Sequence, residues 1–251
     1  LYFISDIMRI VGYIIVISAY IRAGTPLEYS ISFTGGYDNN VMRFSKEEFE
    51  RAAVNPVVMG GSKTFDSFVS KLNISAKKSV LNMRKKSLVA GASYTISDYA
   101  QTPEKKYWSG GVDIAYKWGP YRNLKYAVRH LNNFYLRHYV DRDISTTQLA
   151  PCLFTDRDQS IQLTQKVMKR SWFSIGGGYL QRYYKKPFAE FDLDISYLKG
   201  RLNYKIRNFG TVGVQVSRGR ALSKSHHLPD RPSSFNRSYQ TTEWYLPLRI
   251  N

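Results

Sequence analysis

The sequence predicts an all-β fold, in the form of an antiparallel up-and-down transmembrane β-barrel of about ten to twelve strands. Segments in which every second residue is apolar recur across residues 28–250, and this period is typical of strands with one apolar face. Clusters of Gly, Pro, Asn and Asp separate the segments, as expected for turns. Few segments have helical periodicity, so most apolar strand faces lack a helix that could cover them. In a closed barrel in lipid, such strands pair all their backbone groups and bury their apolar faces against the lipid.

The segment from residue 190 to residue 207 has the most regular alternation. It alternates up to Leu198 and resumes after Lys199-Gly200. The pattern predicts a β-hairpin with its turn at Leu198-Lys199-Gly200. One face of each strand is apolar, and the other face is acidic on the first strand and basic on the second, which favours cross-strand pairing.

The N-terminal segment predicts export. Met8-Arg9 precedes an apolar run at residues 10–21, shorter than the roughly 20 residues that a spanning helix needs. We therefore predict a signal peptide within residues 1–24, with Met8 as the start, followed by a barrel domain at 25–251. An uncleaved anchor or a buried strand is the alternative, because Ile21 and Arg22 stand where cleavage needs small residues.

The composition is strongly basic. The chain has 37 Lys and Arg against 19 Asp and Glu, which gives a net charge of +18. This charge indicates a polyanion such as lipopolysaccharide as neighbour or cargo, or else an ordinary solvated surface. The 20 Tyr, 13 Phe and 4 Trp suit strands and interfacial girdles. Cys152 is the one cysteine, so an internal disulfide is excluded.

The elements follow in order along the chain. Ser45 and Glu48 form a capping-box pattern, which predicts a short loop helix near 45–53, folded over the barrel mouth. The Gly176-Gly177-Gly178 run lies inside a strand pattern, where we expect glycine to relieve crowding or let the wall bend. The alternating segments predict eleven strands, around residues 29–34, 68–74, 88–96, 108–118, 124–141, 161–167, 173–179, 190–198, 201–207, 212–217 and 244–250.

The predicted count and spacing are irregular. Single-chain bacterial barrels have even strand numbers, so eleven implies a strand split or missed, or a truncated C-terminus. Long loops are predicted at 142–156, which holds Cys152, and at 220–238, which holds His226-His227. A short connection after residue 207 falls where the alternation of short and long connections requires a long one.

A short motif after the first strand resembles a known class of proteins. Gly36-Tyr37-Asp38, followed by Asn40-Val41, resembles the opening of several Gram-negative outer-membrane β-barrel proteins. The resemblance implies location in the outer membrane, contact with lipid bilayer and lipopolysaccharide, and insertion by the barrel assembly machinery. It implies no catalytic residue. Asp38 itself suits a turn better than a calcium site.

Two sets of residues are predicted to serve the barrel. Charged side chains on the ionic strand faces predict a lumen lining of Lys125, Arg129, Arg137, Asp192, Asp194, Lys205 and Arg207. Aromatic residues at strand ends predict an interfacial girdle of Trp108, Trp118, Tyr179, Tyr197 and Trp244.

These patterns predict a pore or transporter for small or anionic solutes, or a closed structural barrel with binding loops. One alternative is a secreted or periplasmic basic β-rich protein that binds polysaccharide or nucleic acid; for the barrel itself no nucleic acid is expected. The other is an outer-membrane lipid-modifying enzyme built on His130 and Asn132, although no serine is positioned to complete a triad. No catalytic residue, metal ligand set or cofactor is predicted.

Overall fold

The computed structural model describes residues 26–59, 62–141, 144, 147–224 and 237–250. They form one antiparallel sheet in which β1 to β10 lie in sequence order and β11 also pairs with β9. The predicted all-β, up-and-down architecture is therefore confirmed. The strands are β1 (Glu28–Asp38), β2 (Ser67–Met83), β3 (Lys86–Tyr99), β4 (Tyr107–Gly119), β5 (Arg122–Val140), β6 (Leu149–Met168), β7 (Ser171–Tyr184), β8 (Leu193–Ile206), β9 (Gly210–Ser223), β10 (Tyr239–Tyr245) and β11 (Leu248–Ile250).

Several predicted features fall on other parts of the chain. The predicted signal peptide in residues 1–24 and the pair His226-His227 lie outside the described residues. Among the helices that the structure describes, none is both long and apolar enough to cross a membrane. Within the described ranges β1 pairs only with β2, and β10 and β11 pair only with β9. The sheet therefore has two edges.

The predicted hairpin at 190–207 is wrong. Residues 193–206 form the single strand β8, and Leu198 pairs with Gly177 of β7 and Arg218 of β9. The apolar residues change from odd to even positions near Leu198, because the apolar side moves from one face of a continuous strand to the other. A change of phase was thus mistaken for a turn.

The last predicted strand is divided into two. β10 and β11 both pair with β9, and Leu246-Pro247 separates them. Proline has no N–H to donate to a ladder, although the Pro247 carbonyl accepts a hydrogen bond from Gly213 N at 2.9 Å. The eleven strands of the structure therefore occupy ten positions across the sheet, and the agreement with the predicted count is one of number only.

The connections differ in length between the two ends of the sheet. One end, called the turn end, has short turns at 84–85, 120–121, 169–170 and 207–209. The other, called the loop end, has the longer connections at 39–66, 100–106, 141–148, 185–192 and 224–238. Because β8 is one strand, short and long connections alternate along the whole sheet. Cys152, predicted in a loop, is buried within β6.

A small apolar core fixes the first connection at the loop end. Helix α1 (Lys46–Val54) begins with the predicted capping box, since Ser45 accepts from Glu48 N and Glu48 accepts from Ser45 N. The Ser45 N–H, with Arg137 beside it, holds the pKa of the Glu48 carboxyl below its usual value. The short helix is confirmed, and it packs on β5 and β6 through a cluster of Met42, Phe44, Ala52, Met59, Tyr135 and Leu153.

The strand register separates two faces of the sheet. The face called here the cavity face carries the buried Ala127 and Thr164 and, on β8, the buried Asn203. The opposite face, called the outer face, carries exposed apolar residues such as Ile114 and Leu202. The two sets alternate with period two, so every strand contributes to both faces.

Candidate functional site on the cavity face

A cavity of about 700 Å³ lies against the cavity face, towards the loop end. Residues from eight successive strands, β3 to β10, line this one cavity, so the sheet curls around it. Its charged and polar lining includes Arg129, Asp156, Asp158, Lys199, Thr241 and Glu243.

A second cavity of about 300 Å³ continues towards the turn end. It shares Arg129, Asp158, Tyr197 and Lys199 with the first and adds Arg201. The two cavities are therefore parts of one groove, and those shared residues lie at their junction.

The junction is organised by Tyr197. Its hydroxyl donates a 2.8 Å hydrogen bond to Asp158 Oδ1 on β6, across the intervening strand β7. Gly178 of β7 lies between them, and a Cβ at this position would collide with the Tyr197 ring. The predicted role of glycine in relieving crowding is confirmed here. Lys199 Nζ lies 4.5 Å from the centroid of the Tyr197 ring, which is a cation–π distance.

An ion pair with two parallel hydrogen bonds crosses from β6 to β7. Arg182 Nε and Nη2 donate to the two Asp156 carboxylate oxygens at 2.9 and 2.8 Å. The Arg182 guanidinium also lies 4.5 Å from the centroid of the Phe154 ring. This bidentate geometry fixes both side chains and is stronger than an ion pair with a single hydrogen bond.

The remaining acids of the cavity face also have partners. Asp113 Oδ2 lies 3.2 Å from Lys125 Nζ. Glu243 accepts from the Ser217 and Tyr245 hydroxyls at 3.2 and 2.7 Å.

The basic side chains of the groove are less fully matched. Among the residues that the structure describes, Arg129, Lys199 and Arg201 form no ion pair with a carboxylate. Arg201 Nε donates instead to Asn203 Oδ1 at 2.7 Å. The groove consequently carries an excess of positive charge where its two cavities meet, which is the electrostatic environment that attracts an anion.

The structure brings some of the predicted lumen residues together. Lys125 and Arg129 lie on the cavity face of β5, which is three strands from β8 and its Tyr197. Lys205 lies on the same face of β8, near the turn end. Arg207 is exposed and follows β8, in the turn before β9. Two of the four therefore belong to the central part of this face.

The other three predicted lumen residues lie elsewhere. Arg137 Nη1 binds Glu48 Oε1 of α1 at 2.8 Å at the loop end. Asp192 precedes β8 and accepts from Tyr184 N at 2.7 Å, and burial raises the pKa of its carboxyl. Asp194 lies on the outer face, where it accepts from the Tyr183 hydroxyl at 3.1 Å. The assumed hairpin placed both acids on a lumen face, and the single strand β8 corrects this.

The outer face carries a belt of exposed apolar side chains. Ile114 is 51% exposed and Leu202 is 56% exposed, although both lie within strands paired on both sides. The belt contains Ile74, Tyr94, Val112, Ile114, Tyr126, Ile161, Ile175, Leu198, Leu202, Tyr204 and Val214.

Four of the predicted girdle residues border or extend this belt. Trp108 and Trp118 stand near the two ends of β4, and their rings lie 5.6 Å from Tyr94 and Tyr116 respectively. Tyr179 is on the outer face of β7, and Trp244 is 71% exposed on β10. Tyr197 is the exception, because its side chain belongs to the groove.

The sequence analysis missed Asp156, Asp158, Arg182, Lys199 and Arg201. Asp156 fell at the end of the predicted loop at 142–156, and Asp158 fell before the predicted strand at 161–167, whereas their spacing of two would place them on one face. His130, which the alternative of a lipid-modifying enzyme singled out, has its ring centroid 5.0 Å from that of Trp108. In the described ranges no group of three or more His, Cys, Asp or Glu side chains could hold a metal ion.

Fold and site together define an antiparallel, up-and-down β-sheet protein with a charged groove on one face and an apolar belt on the other. Comparison of the chain with protein-family models and with curated protein sequences gave no match.

Proposed function

We propose that the chain is an outer-membrane β-barrel that conducts small anionic solutes. The observation that carries this proposal is the apolar belt on the outer face. A contiguous exposed apolar surface of this extent is costly in water, at roughly 25 cal/mol for each Å². Contact with lipid removes that cost, and the belt is the part of the chain that would lie in the bilayer.

The size of the belt supports a bilayer. On β4 it extends from Trp108 to Trp118, which at about 3.3 Å per residue is about 33 Å along the strand. A strand tilted by about 40° covers about 25 Å of membrane over this length, which is the height of the apolar band of outer-membrane barrels. In lipid the free edges of β1 and β10 would have to pair with each other, because unpaired backbone groups are not tolerated there.

The connections support an orientation. Outer-membrane barrels have short periplasmic turns and longer extracellular loops, so the turn end faces the periplasm and the loop end faces outward. Export by residues 1–24 and insertion by the barrel assembly machinery belong to the same proposal, with lipopolysaccharide surrounding the outer half of the barrel.

The groove supports anionic solutes. Arg129, Lys199 and Arg201 lie at its centre without carboxylate partners among the described residues. Rings of basic side chains favour anions by Coulomb attraction. Arg129 is common to this groove and to the lumen lining predicted from the sequence, so both support the same proposal.

Replacing two of these cations should change ion selectivity. In planar bilayers containing the refolded protein, we expect channels that prefer chloride to potassium. In the double variant Arg129→Gln/Lys199→Gln, the chloride-to-potassium permeability ratio should fall roughly thirtyfold, since each charge attracts chloride and repels potassium by about 0.5 kcal/mol at about 8 Å in a water-like dielectric. The reversal potential in a salt gradient measures this ratio.

The matched control is Lys186→Gln, an exposed lysine in the β7–β8 connection that does not line the groove. It should leave the ratio unchanged. Equal effects of the control and the double variant would place selectivity outside the groove.

A closed structural barrel with binding loops is the second candidate. The ion pairs Asp113–Lys125 and Asp156–Arg182 favour it, because they join neighbouring strands along the wall of the sheet. Folded protein inserted in a bilayer with no conductance would support this candidate over the pore. Protein that is soluble without detergent and released from membranes by high salt would instead support a basic protein that binds polyanions.

A further inference from the structure

A separate cavity of about 290 Å³ lies at the loop end, above the groove. Three parts of the chain surround it: the first connection, the β3–β4 connection and the end of β5. Its volume is near the lower limit of about 300 Å³ for small-molecule sites. Three basic residues, Arg43, Lys105 and Arg137, share its lining with Tyr99, Tyr107 and Tyr139.

Lys105 is the unusual member of this lining. It is only 8% exposed, and its Nζ lies 5.7 Å from the centroid of the Phe134 ring. No carboxylate of the described residues forms an ion pair with it. A largely buried cation without a carboxylate partner is stabilised when an anion binds beside it.

The two other cations already have partners. Arg43 Nη2 lies 3.3 Å from Asp38 Oδ2, and Arg137 Nη1 lies 2.8 Å from Glu48 Oε1. Lys105 therefore supplies the positive charge that remains unmatched in this cavity. The tyrosines add hydroxyl groups and flat ring faces, which suit a polar organic molecule.

We propose that this cavity binds the phosphate group of a small phosphorylated molecule, no larger than a monosaccharide phosphate, with Lys105 as the central cation. A phosphate offers several acceptor oxygens, so Lys105, Arg43 and Arg137 can bind it together. The inference rests on the proposed function only for its role, which is to hold an anionic solute at the outer entrance of the pore. Binding without conductance would leave the site in place and remove the pore.

The electrostatics agree with this geometry. Burial, with Arg43 and Arg137 nearby, lowers the pKa of Lys105 to about 8, while Asp38 acts in the opposite direction. A bound dianion would favour the charged ammonium and raise this pKa again. A bound phosphate would therefore balance the charge of Lys105.

Calorimetric titration of the detergent-solubilised protein with glucose 6-phosphate tests the site, using a detergent without phosphate. We expect binding that weakens at least tenfold in Lys105→Met and stays unchanged in Lys186→Met. Lys105→Arg keeps the charge and should retain binding, which separates loss of a cation from loss of folding. Equal affinity of the wild type and Lys105→Met, or no binding at millimolar concentrations, would overturn the proposal.

A pH series with sulfate gives a second readout, because sulfate keeps its charge from pH 6.5 to 9.5. Sulfate affinity should fall as the pH rises through about 8, since Lys105 loses its proton there. The decline should be absent in Lys105→Arg. A decline that persists in Lys105→Arg would assign the titration to another group and contradict the central role of Lys105.

Three further titrations identify the source of the phosphate. Inorganic phosphate should bind more weakly than glucose 6-phosphate, and glucose alone should not bind. Vesicles that contain phosphatidic acid present the same phosphate monoester on a lipid. Displacement of bound sulfate by glucose 6-phosphate but not by these vesicles supports a soluble solute. Displacement by the vesicles alone would overturn that part of the proposal in favour of a lipid headgroup.

Discussion

Replacing Ile114 with arginine should lower the free energy of unfolding in phospholipid vesicles by about 2–4 kcal/mol, the cost of arginine near the bilayer midplane on a barrel wall. Ile114 is 51% exposed on the outer face of β4, between Trp108 and Trp118. In water an exposed arginine at this position would hardly change the free energy of unfolding. The size of the change therefore shows whether lipid or water surrounds the outer face. Urea titration of vesicle-inserted protein, followed by tryptophan fluorescence, measures it.

The control places the same residue on the other face. Ser93 is exposed on β3 and lines the cavity, so Ser93→Arg should change the free energy of unfolding by no more than about 0.5 kcal/mol. Similar small changes in both variants would mean that the outer face is not in lipid. Such a result would favour the soluble, polyanion-binding alternative.

Replacing Arg182 with leucine should also destabilise the protein strongly. The substitution removes two hydrogen bonds of 2.8–2.9 Å and leaves the largely buried Asp156 carboxylate without its cation. Breaking a buried pair costs about 3–5 kcal/mol. Because the Arg182 side chain is 32% exposed, we expect about 2 kcal/mol in the same urea titration.

A double-mutant cycle shows whether the effect belongs to the pair. Asp156→Asn/Arg182→Leu should be more stable than Arg182→Leu alone, since the unpaired charge is gone. Lys125→Leu is the matched control: the Lys125–Asp113 pair is more exposed, with side chains 40% and 30% accessible, and should contribute less than about 1 kcal/mol. Strictly additive effects at positions 156 and 182 would contradict the coupling.

The strands were predictable where the apolar residues stayed on the same positions, odd or even, along the whole strand. β4 has apolar side chains on even positions between two tryptophans, and its bounds match the prediction closely. β8 was not predictable in this way, because its apolar side changes face at Leu198. β6 was predicted too short because Pro151 suggested a loop. In the structure Pro151 pairs with His138 next to a bulge, which is a position where a strand tolerates proline.

The site was predictable only in part. Period two places Lys125 and Arg129 on one face, and both lie on the cavity face. Tyr197 was assigned to the apolar girdle because tyrosine counts as apolar in an alternation. Its position beside Asp158 depends on the pairing of Gly178 with its neighbours on β6 and β8, which follows from strand register rather than from any single segment.

The membrane barrel is tested most directly by electrophoresis of detergent-refolded protein in sodium dodecyl sulfate, with and without boiling. A closed barrel resists the detergent until it is heated. We therefore expect the unboiled protein to migrate faster than the boiled protein, as a compact species. One position for both samples, together with protein that stays soluble without detergent, would contradict a closed barrel in the membrane.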